Sequence, residues 1–95
     1  MDVFIEKISQ NKEGILFIKP KGYSFSMIYR SAMGVQWDEN TKSLYHNPTK
    51  DWDAIQWYKQ ILSAVKSEYG AELKVCSKTI YENIDEKTKT VIKHA

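Results

Sequence analysis

The sequence has one cysteine, one arginine and no long apolar run. Because Cys76 stands alone, an intramolecular disulfide and a zinc site built on several thiolates are both excluded. No segment approaches the ~20 consecutive apolar residues that a membrane helix needs. The first residues carry an acid, Asp2, and only short apolar runs, so they do not resemble a secretory signal. We therefore expect a cytoplasmic protein without a membrane partner.

Arginine is scarce on a chain that is only mildly basic, with a net charge of +2. Thirteen of the 14 basic residues are lysine, and Arg30 is the exception. Arginine provides the paired hydrogen bonds that read guanine edges and hold phosphates. Acidic pairs at 38–39 and 85–86 also interrupt any basic stripe. The charge pattern predicts a solubilising lysine surface and argues against a nucleic-acid partner.

Residues that could carry catalysis are few and poorly spaced. His46 and His94 are the only imidazoles, and nothing in the spacing pairs either with Cys76 as base and nucleophile. We expect Cys76 to be a buried small hydrophobe. His46 could join Asp51 and Asp53 in a metal site, but these acids are better explained as first-turn helix charges. The four glycines are isolated, so none forms a phosphate loop. The sequence therefore predicts a non-enzyme without cofactor or metal.

Strand patterns occupy both ends of the chain. Residues 3–8 and the continuous apolar run 15–18 predict two strands joined as a hairpin, and 35–37 with 43–46 predict a second hairpin. Residues 73–76 and 80–84 predict further strands. These patterns favour an antiparallel sheet of four to six strands.

One long amphipathic helix is predicted from about residue 50 to residue 69. Thr49 or Asp51 can cap it, and Gly70 can end it. Residues 24–33 alternate as a strand would, yet their i, i+3, i+4, i+7 apolar spacing favours a short helix. Residues 85–94 fit either a closing strand or a short helix capped by an aspartate. The predicted class is α+β, with residues 1–95 in a single domain and the long helix packed on one face of the sheet.

The apolar arc of the long helix covers close to half its circumference, wider than packing on one sheet requires. Its centre, which includes Leu62 and Val65, is expected to lie in the core. Its margin carries Trp57, Ile61 and Ala64. These three either lie along the edge of the domain's own core or face a second subunit, and they are the interface candidates.

Aromatic residues are concentrated a second time before the helix. The candidates for an aromatic-lined pocket are Tyr23, Phe25, Tyr29, Trp37 and Tyr45. Such a pocket would bind a flat aromatic or cationic ligand by stacking and cation–π attraction. The alternative is that these side chains only populate the faces of the sheet.

Three functions remain open. The favoured one is a non-catalytic interaction protein that forms a homodimer through the helix margin. The second is a small-molecule binding module using the aromatic residues, and the third is an immunity-type protein that occludes a partner's active site. Immunity proteins tend to present acidic patches, which only residues 38–39 and 85–86 could begin here. The general profile resembles small accessory proteins of mobile gene pools, cassette-encoded and toxin-immunity proteins among them, and this resemblance assigns no residue roles.

Overall fold

A computed structural model describes residues 1–48 and 51–94. These residues form a six-stranded sheet with two α-helices and one 3-10 turn. The strands are β1 (Asp2–Gln10), β2 (Leu16–Pro20), β3 (Val35–Asp38), β4 (Ser43–His46), β5 (Glu72–Lys74) and β6 (Ile80–Glu82). The helices are α1 (Ala54–Tyr69) and α2 (Glu86–Lys93), and the 3-10 turn is Ile28–Ser31. The predicted α+β class, with a long helix packed on the sheet, is confirmed.

The sheet is mixed, so the expectation of a purely antiparallel sheet is wrong for its last two strands. Its order is β3-β4-β2-β1-β5, and β6 also pairs with β1. The first four strands pair antiparallel, whereas β5 and β6 run parallel to β1. The reason is that α1 intervenes between β4 and β5, and a helical crossover is long enough to return the chain in the parallel direction.

The long strand β1 accommodates β5 and β6 along one edge. Residues Asp2–Phe4 pair with β5, and Lys7–Ser9 pair with β6. The pairing along this edge is interrupted between β5 and β6, and Thr79 lies at the gap. Its hydroxyl donates to the carbonyl of Ile5 at 2.7 Å and accepts from the N–H of Cys76 at 2.9 Å. These two hydrogen bonds of Thr79 therefore replace the backbone hydrogen bonds between strands at the gap between β5 and β6.

Helix α1 begins later than predicted. Asp53 caps it, since its carboxylate accepts from the N–H of Gln56 at 2.9 Å and the Gln56 side chain accepts from the N–H of Asp53 at 3.0 Å. This reciprocal capping box satisfies two free donors at the helix start. Asp51, expected as a cap, precedes the helix, and the alternative cap Thr49 lies outside the described residues. The predicted end is confirmed, because Gly70 adopts a left-handed conformation and its N–H bonds the carbonyl of Lys66.

Both ambiguous segments contain a helix. Within residues 24–33 it is the single 3-10 turn, with Ile28 buried and Ala32 in the left-handed region at its end. Near the C-terminus, the carboxylate of Asp85 accepts from the N–H of Thr88 at 2.7 Å and caps α2. None of the described helices is long and apolar enough to cross a membrane.

The core lies between the helices and one face of the sheet. Its fully buried side chains are Val3, Ile5, Ile8, Leu16, Ile18, Phe25, Ile28, Val35, Leu44, Ile61, Val65 and Ile92. On α1 the buried positions are Trp57, Tyr58, Ile61, Ala64 and Val65, whereas Leu62 is only half-buried. The prediction that Trp57, Ile61 and Ala64 form a margin of the helix facing a second subunit is therefore wrong. The helix is turned so that these residues, spaced i, i+4, i+7, meet the sheet.

Candidate functional site

A buried phenylalanine organises most of the predicted pocket residues. Phe25 is almost completely buried, and its ring centroid lies 6.4 Å from Tyr23, 6.1 Å from Trp37 and 4.9 Å from Tyr69. Trp37 and Tyr69 meet it edge to face, which is a favourable geometry for aromatic pairs. Phe25 thus belongs to the core and serves as the base of a cluster rather than as the wall of a pocket.

Tyr69 completes this cluster and was missed among the pocket candidates. It ends α1, and its hydroxyl accepts a hydrogen bond from the N–H of Met27 at 3.0 Å. The sequence signal was present, since Tyr69 closes the apolar stripe next to Gly70. The two residues are 42 positions apart, however, so only the packed structure reveals the contact.

Four large side chains that belong to this cluster or lie close to it in sequence are exposed, and we refer to them as the aromatic patch. Their exposed fractions lie between 36% and 61%. The members of the aromatic patch are Tyr23, Met27, Tyr29 and Tyr69. A small-molecule site buries most of its ligand. Side chains this exposed form a contact surface more readily than an enclosing pocket.

Tyr45 lies elsewhere, so the structure does not bring the five pocket candidates together. Its ring stacks on Phe17 with centroids 5.4 Å apart, and its hydroxyl donates to Gln36 at 2.8 Å. Because Leu16 and Leu44 point into the core, their neighbours Phe17 and Tyr45 occupy the opposite face of the sheet. The prediction of one aromatic pocket lined by all five residues is therefore wrong, because Tyr45 lies on the opposite face of the sheet.

A groove runs between α1 and β5, and we call it the lysine groove. Two adjoining cavities of about 530 and 620 Å³ form it, and they share Leu62, Ser63, Leu73 and Lys74. Its apolar floor includes Leu62, Leu73 and Val75. Its rim carries Lys59, Lys66, Lys74 and Lys93, with Glu72 as the one acid among the lining residues.

The charges of the groove are only partly balanced. Glu72 forms ion pairs with Lys66 and, at 3.8 Å, with Lys74, and Lys74 also reaches Asp2 at 3.3 Å. The hydrogen bond from Lys66, followed by the charges of Lys66 and Lys74, lowers the pKa of Glu72. The four rim lysines thus outnumber the one carboxylate that lines the groove.

The acidic pairs that an immunity-type surface would need are used locally. Glu39 accepts from the amine of Lys42 and from the indole of Trp37, and these two hydrogen bonds lower its pKa. Asp85 accepts from Thr88 at the start of α2, which lowers the pKa of Asp85. One acid of each pair is therefore held by a local contact.

Cys76 is half-exposed, so its expected burial is wrong. It lines a cavity of about 420 Å³ together with Phe4, Lys21 and neighbouring residues. The backbone N–H of Lys78, and then the Thr79 hydroxyl 3.7 Å from the sulfur, lower the pKa of the thiol. The turn that carries Cys76 stabilises its thiolate, although it supplies no general base.

The buried imidazole of His46 cannot serve as that base. Its Nε2 accepts from the N–H of Leu16 at 3.0 Å, and its Nδ1 donates to the carbonyl of Asn47 at 3.1 Å. Both ring nitrogens are therefore occupied by backbone groups. Among residues 1–48 and 51–94, no three His, Cys, Asp or Glu side chains form a group that could hold a metal ion.

Comparison with known proteins gives a family. The family described as Integron Cassette Protein Hfx_Cass5 matches residues 3–79. A solved structure titled "Structure from the mobile metagenome of North West Arm Sewage Outfall: Integron Cassette Protein Hfx_Cass5" is 32% identical. The alignment covers 97% of this chain and 92% of that chain, with a TM-score of 0.48. No curated protein matches the sequence. The expected link to mobile gene pools is confirmed, and the chain belongs to the Hfx_Cass5 family of integron cassette proteins.

Proposed function

We propose that the chain is a non-catalytic cytosolic interaction protein that forms a homodimer through the aromatic patch. The observation that carries the proposal is that two exposed tyrosines, Tyr23 and Tyr69, contact the buried ring of Phe25. Met27 is bonded to Tyr69 through its backbone N–H, and Tyr29 follows two residues later, and both are exposed. Contiguous exposed apolar surface on a small protein is typical of a contact site. This surface replaces the helix margin as the interface.

The residue types of the patch favour a protein partner. Tyrosine, methionine and arginine are enriched at interface cores, whereas lysine and glutamate are depleted. Three tyrosines and Met27 form the patch, and Arg30, the only arginine of the chain, follows Tyr29 directly. The sequence thus concentrates its best hot-spot residues in one place.

The patch is also held in position before any partner binds. Tyr69 is fixed at both ends of its side chain, by the edge-to-face contact with Phe25 and by the hydrogen bond from Met27. Binding then loses little side-chain entropy, and more of the contact energy appears as affinity.

A second copy of the chain is the partner that fits the charges. Arg30 and Glu68 border the patch, with Nε and Oε1 3.7 Å apart. In a two-fold symmetric contact the same surface meets itself, so Arg30 of each copy can pair with Glu68 of the other. Equal and opposite charges at the border make the patch self-complementary.

The experiment is sedimentation velocity over a range of protein concentrations. We expect a reversible dimer whose affinity falls at least about tenfold in Tyr29→Ala, because exposed interface tyrosines are frequent hot spots. Phe4→Ala is the matched control, since Phe4 is 50% exposed and lies outside the patch. A chain that stays monomeric up to about 1 mM contradicts the proposal. Equal weakening by both variants contradicts the assigned surface.

A further inference from the structure

The geometry of the lysine groove points to a second partner, an extended acidic segment of another protein that adds a strand to β5. The groove shares no residue with the aromatic patch. The inference therefore goes beyond the proposed homodimer and does not depend on it.

The floor of the groove provides apolar surface that the chain's own core leaves partly uncovered. Leu62 is only half-buried although it lies in the middle of α1, and Val75 beyond the end of β5 is half-buried as well. Leu73 also lines the groove, but it is already buried, with 5% of its surface exposed. Apolar side chains of a ligand would gain free energy by covering Leu62 and Val75.

The edge of the sheet provides backbone partners. Within the described residues, β5 ends the strand order on this side. The N–H of Glu72 donates to the carbonyl of Met1, toward β1. Because backbone groups alternate in direction along a strand, the N–H and C=O of Leu73 point away from β1. An added strand would form hydrogen bonds with both groups.

The rim determines the charge of the occupant. Lys59 and Lys93 have no carboxylate within ion-pair distance in the described part of the chain, whereas Lys66 and Lys74 share Glu72. A second copy docking here would place lysines against lysines, which is repulsive. Aspartate or glutamate side chains would instead find Lys59 and Lys93 without a carboxylate, although the Lys93 amine also lies 5.7 Å from the centroid of the Tyr81 ring. The groove therefore fits an acidic partner rather than itself.

An extended peptide satisfies all three features together. Successive side chains of a strand point to opposite faces, so every second residue of the peptide would face α1. On that face apolar side chains can enter the floor and acidic ones can reach the lysines of α1 and α2. A fatty acid would use the floor without the backbone of Leu73. A nucleic acid would use the lysines without the apolar floor. Only the peptide uses floor, edge and rim.

The first test titrates the labelled protein with an acetylated and amidated heptapeptide, followed by amide NMR. The peptide has glutamate at both ends, valine at its third and fifth positions and threonine between them, so that glutamate and valine share one face. We expect shift changes centred on residues 59–67 and 72–75, and weaker binding in higher salt, as the charged rim requires. The same peptide with lysine in place of glutamate should not bind. No detectable binding at about 1 mM, or shift changes centred elsewhere, overturns the inference.

The second test reverses charge on the rim. Lys59→Glu combined with Lys93→Glu should weaken peptide binding about tenfold, because two ion pairs become two repulsions. The matched control, Lys12→Glu with Lys78→Glu, makes the same change of net charge at exposed sites outside the groove. Equal weakening by both pairs would show general electrostatic attraction and overturn the assigned site.

The third test separates strand addition from other modes of binding. N-methylation of the three central amides removes the main-chain donors that can face β5, whichever residues they belong to, and should abolish binding. Unchanged affinity of the methylated peptide overturns strand addition. Displacement of the peptide by dodecanoate or by a twelve-residue oligothymidylate at equal concentration overturns the choice of occupant. Dimerisation measured on Tyr29→Ala is independent of all these outcomes, so the two proposals can fail separately.

Discussion

The imidazole of His46 lies flat on the indole of Trp57, with ring centroids 4.1 Å apart and planes within 5° of parallel. This stack joins β4 to the first turns of α1 and explains why Trp57 is buried. The two ring nitrogens of His46 form hydrogen bonds with backbone groups of Leu16 and Asn47. A neutral ring satisfies both of them, so the stack depends on the protonation state of His46.

The first prediction concerns pH. Burial lowers the pKa of His46 in the folded chain below its usual 6.5, and a protonated Nε2 could no longer accept from the N–H of Leu16. The unfolded chain therefore binds the proton more readily, and the contribution to stability is complete above pH 6.5. It is lost as the pH falls below 6.5 toward the folded pKa, by up to about 1.4 kcal/mol per pH unit.

Urea unfolding measured between pH 7.5 and pH 5 checks this dependence. His46→Gln is the control, because it removes the titrating group while retaining polar atoms at the site. The slope should be smaller in this variant over the same pH range. Identical slopes in the two proteins would show that His46 does not control the effect.

The second prediction compares two helix positions. Trp57 is 2% exposed, so Trp57→Ala should cost about 3–5 kcal/mol of unfolding free energy through the cavity it leaves. Leu62 is only half-buried, so Leu62→Ala should cost about 1–2 kcal/mol. Guanidinium melts of the two variants give both numbers. A larger loss for Leu62→Ala would restore the helix orientation expected from the sequence.

The third prediction concerns the reactivity of Cys76. Because its thiol is half-exposed and its pKa is lowered, alkylation by iodoacetamide should have a pH midpoint below that of a free cysteine peptide. Slow labelling, as expected of a buried hydrophobe, should not be observed. Thr79→Val should raise the midpoint, because it removes a hydroxyl that can turn its one hydrogen from the carbonyl of Ile5 to the sulfur once the thiol ionises.

Thr79→Ser is the matched control for this experiment. It keeps the hydroxyl that bonds Ile5 and approaches Cys76, so its midpoint should stay close to that of the parent chain. Equal midpoints in all three proteins would show that Thr79 has no influence on the thiol.

Much of the fold could be predicted from local patterns. The hairpin strands and the end of α1 at Gly70 follow from signals within a few residues. The pattern of residues 85–94 fits a strand as well as the Asp85-capped helix that the structure shows. The start of α1 was also readable, since Asp53 and Gln56 have the spacing of a capping box. Negative charge at the helix start favours Asp51 and Asp53 alike. Only the reciprocal hydrogen bonds between Asp53 and Gln56 distinguish the two aspartates.

The phase of α1 could not be predicted in the same way. An arc that spans half a helix leaves its centre undefined. The stack of Trp57 on His46 fixes the orientation of α1 through a contact with β4 that the periodicity of the helix does not predict. The parallel pairing could not be predicted either, because β5 and β6 have only three residues each. Strands so short carry no sequence signal for direction.

The candidate surfaces were only partly predictable. Tyr23 and Tyr29 were identified as candidates, but exposure and the contact with Tyr69 depend on packing between distant segments. The lysine groove was not foreseen, because its floor and rim come from α1, β5 and α2. A groove of this kind arises only when these elements are assembled.

The placement of β5 and β6 beside β1 has a consequence for synthesis. Strand β1 leaves the ribosome before the other described strands and pairs on one side with β2, which follows it closely. Within the described residues, its other side pairs with residues 72–82, which follow α1. Until these residues emerge, a nascent chain keeps one edge of β1 bare and prone to pairing with other chains. Completion of the sheet therefore waits for the strands that follow the long helix.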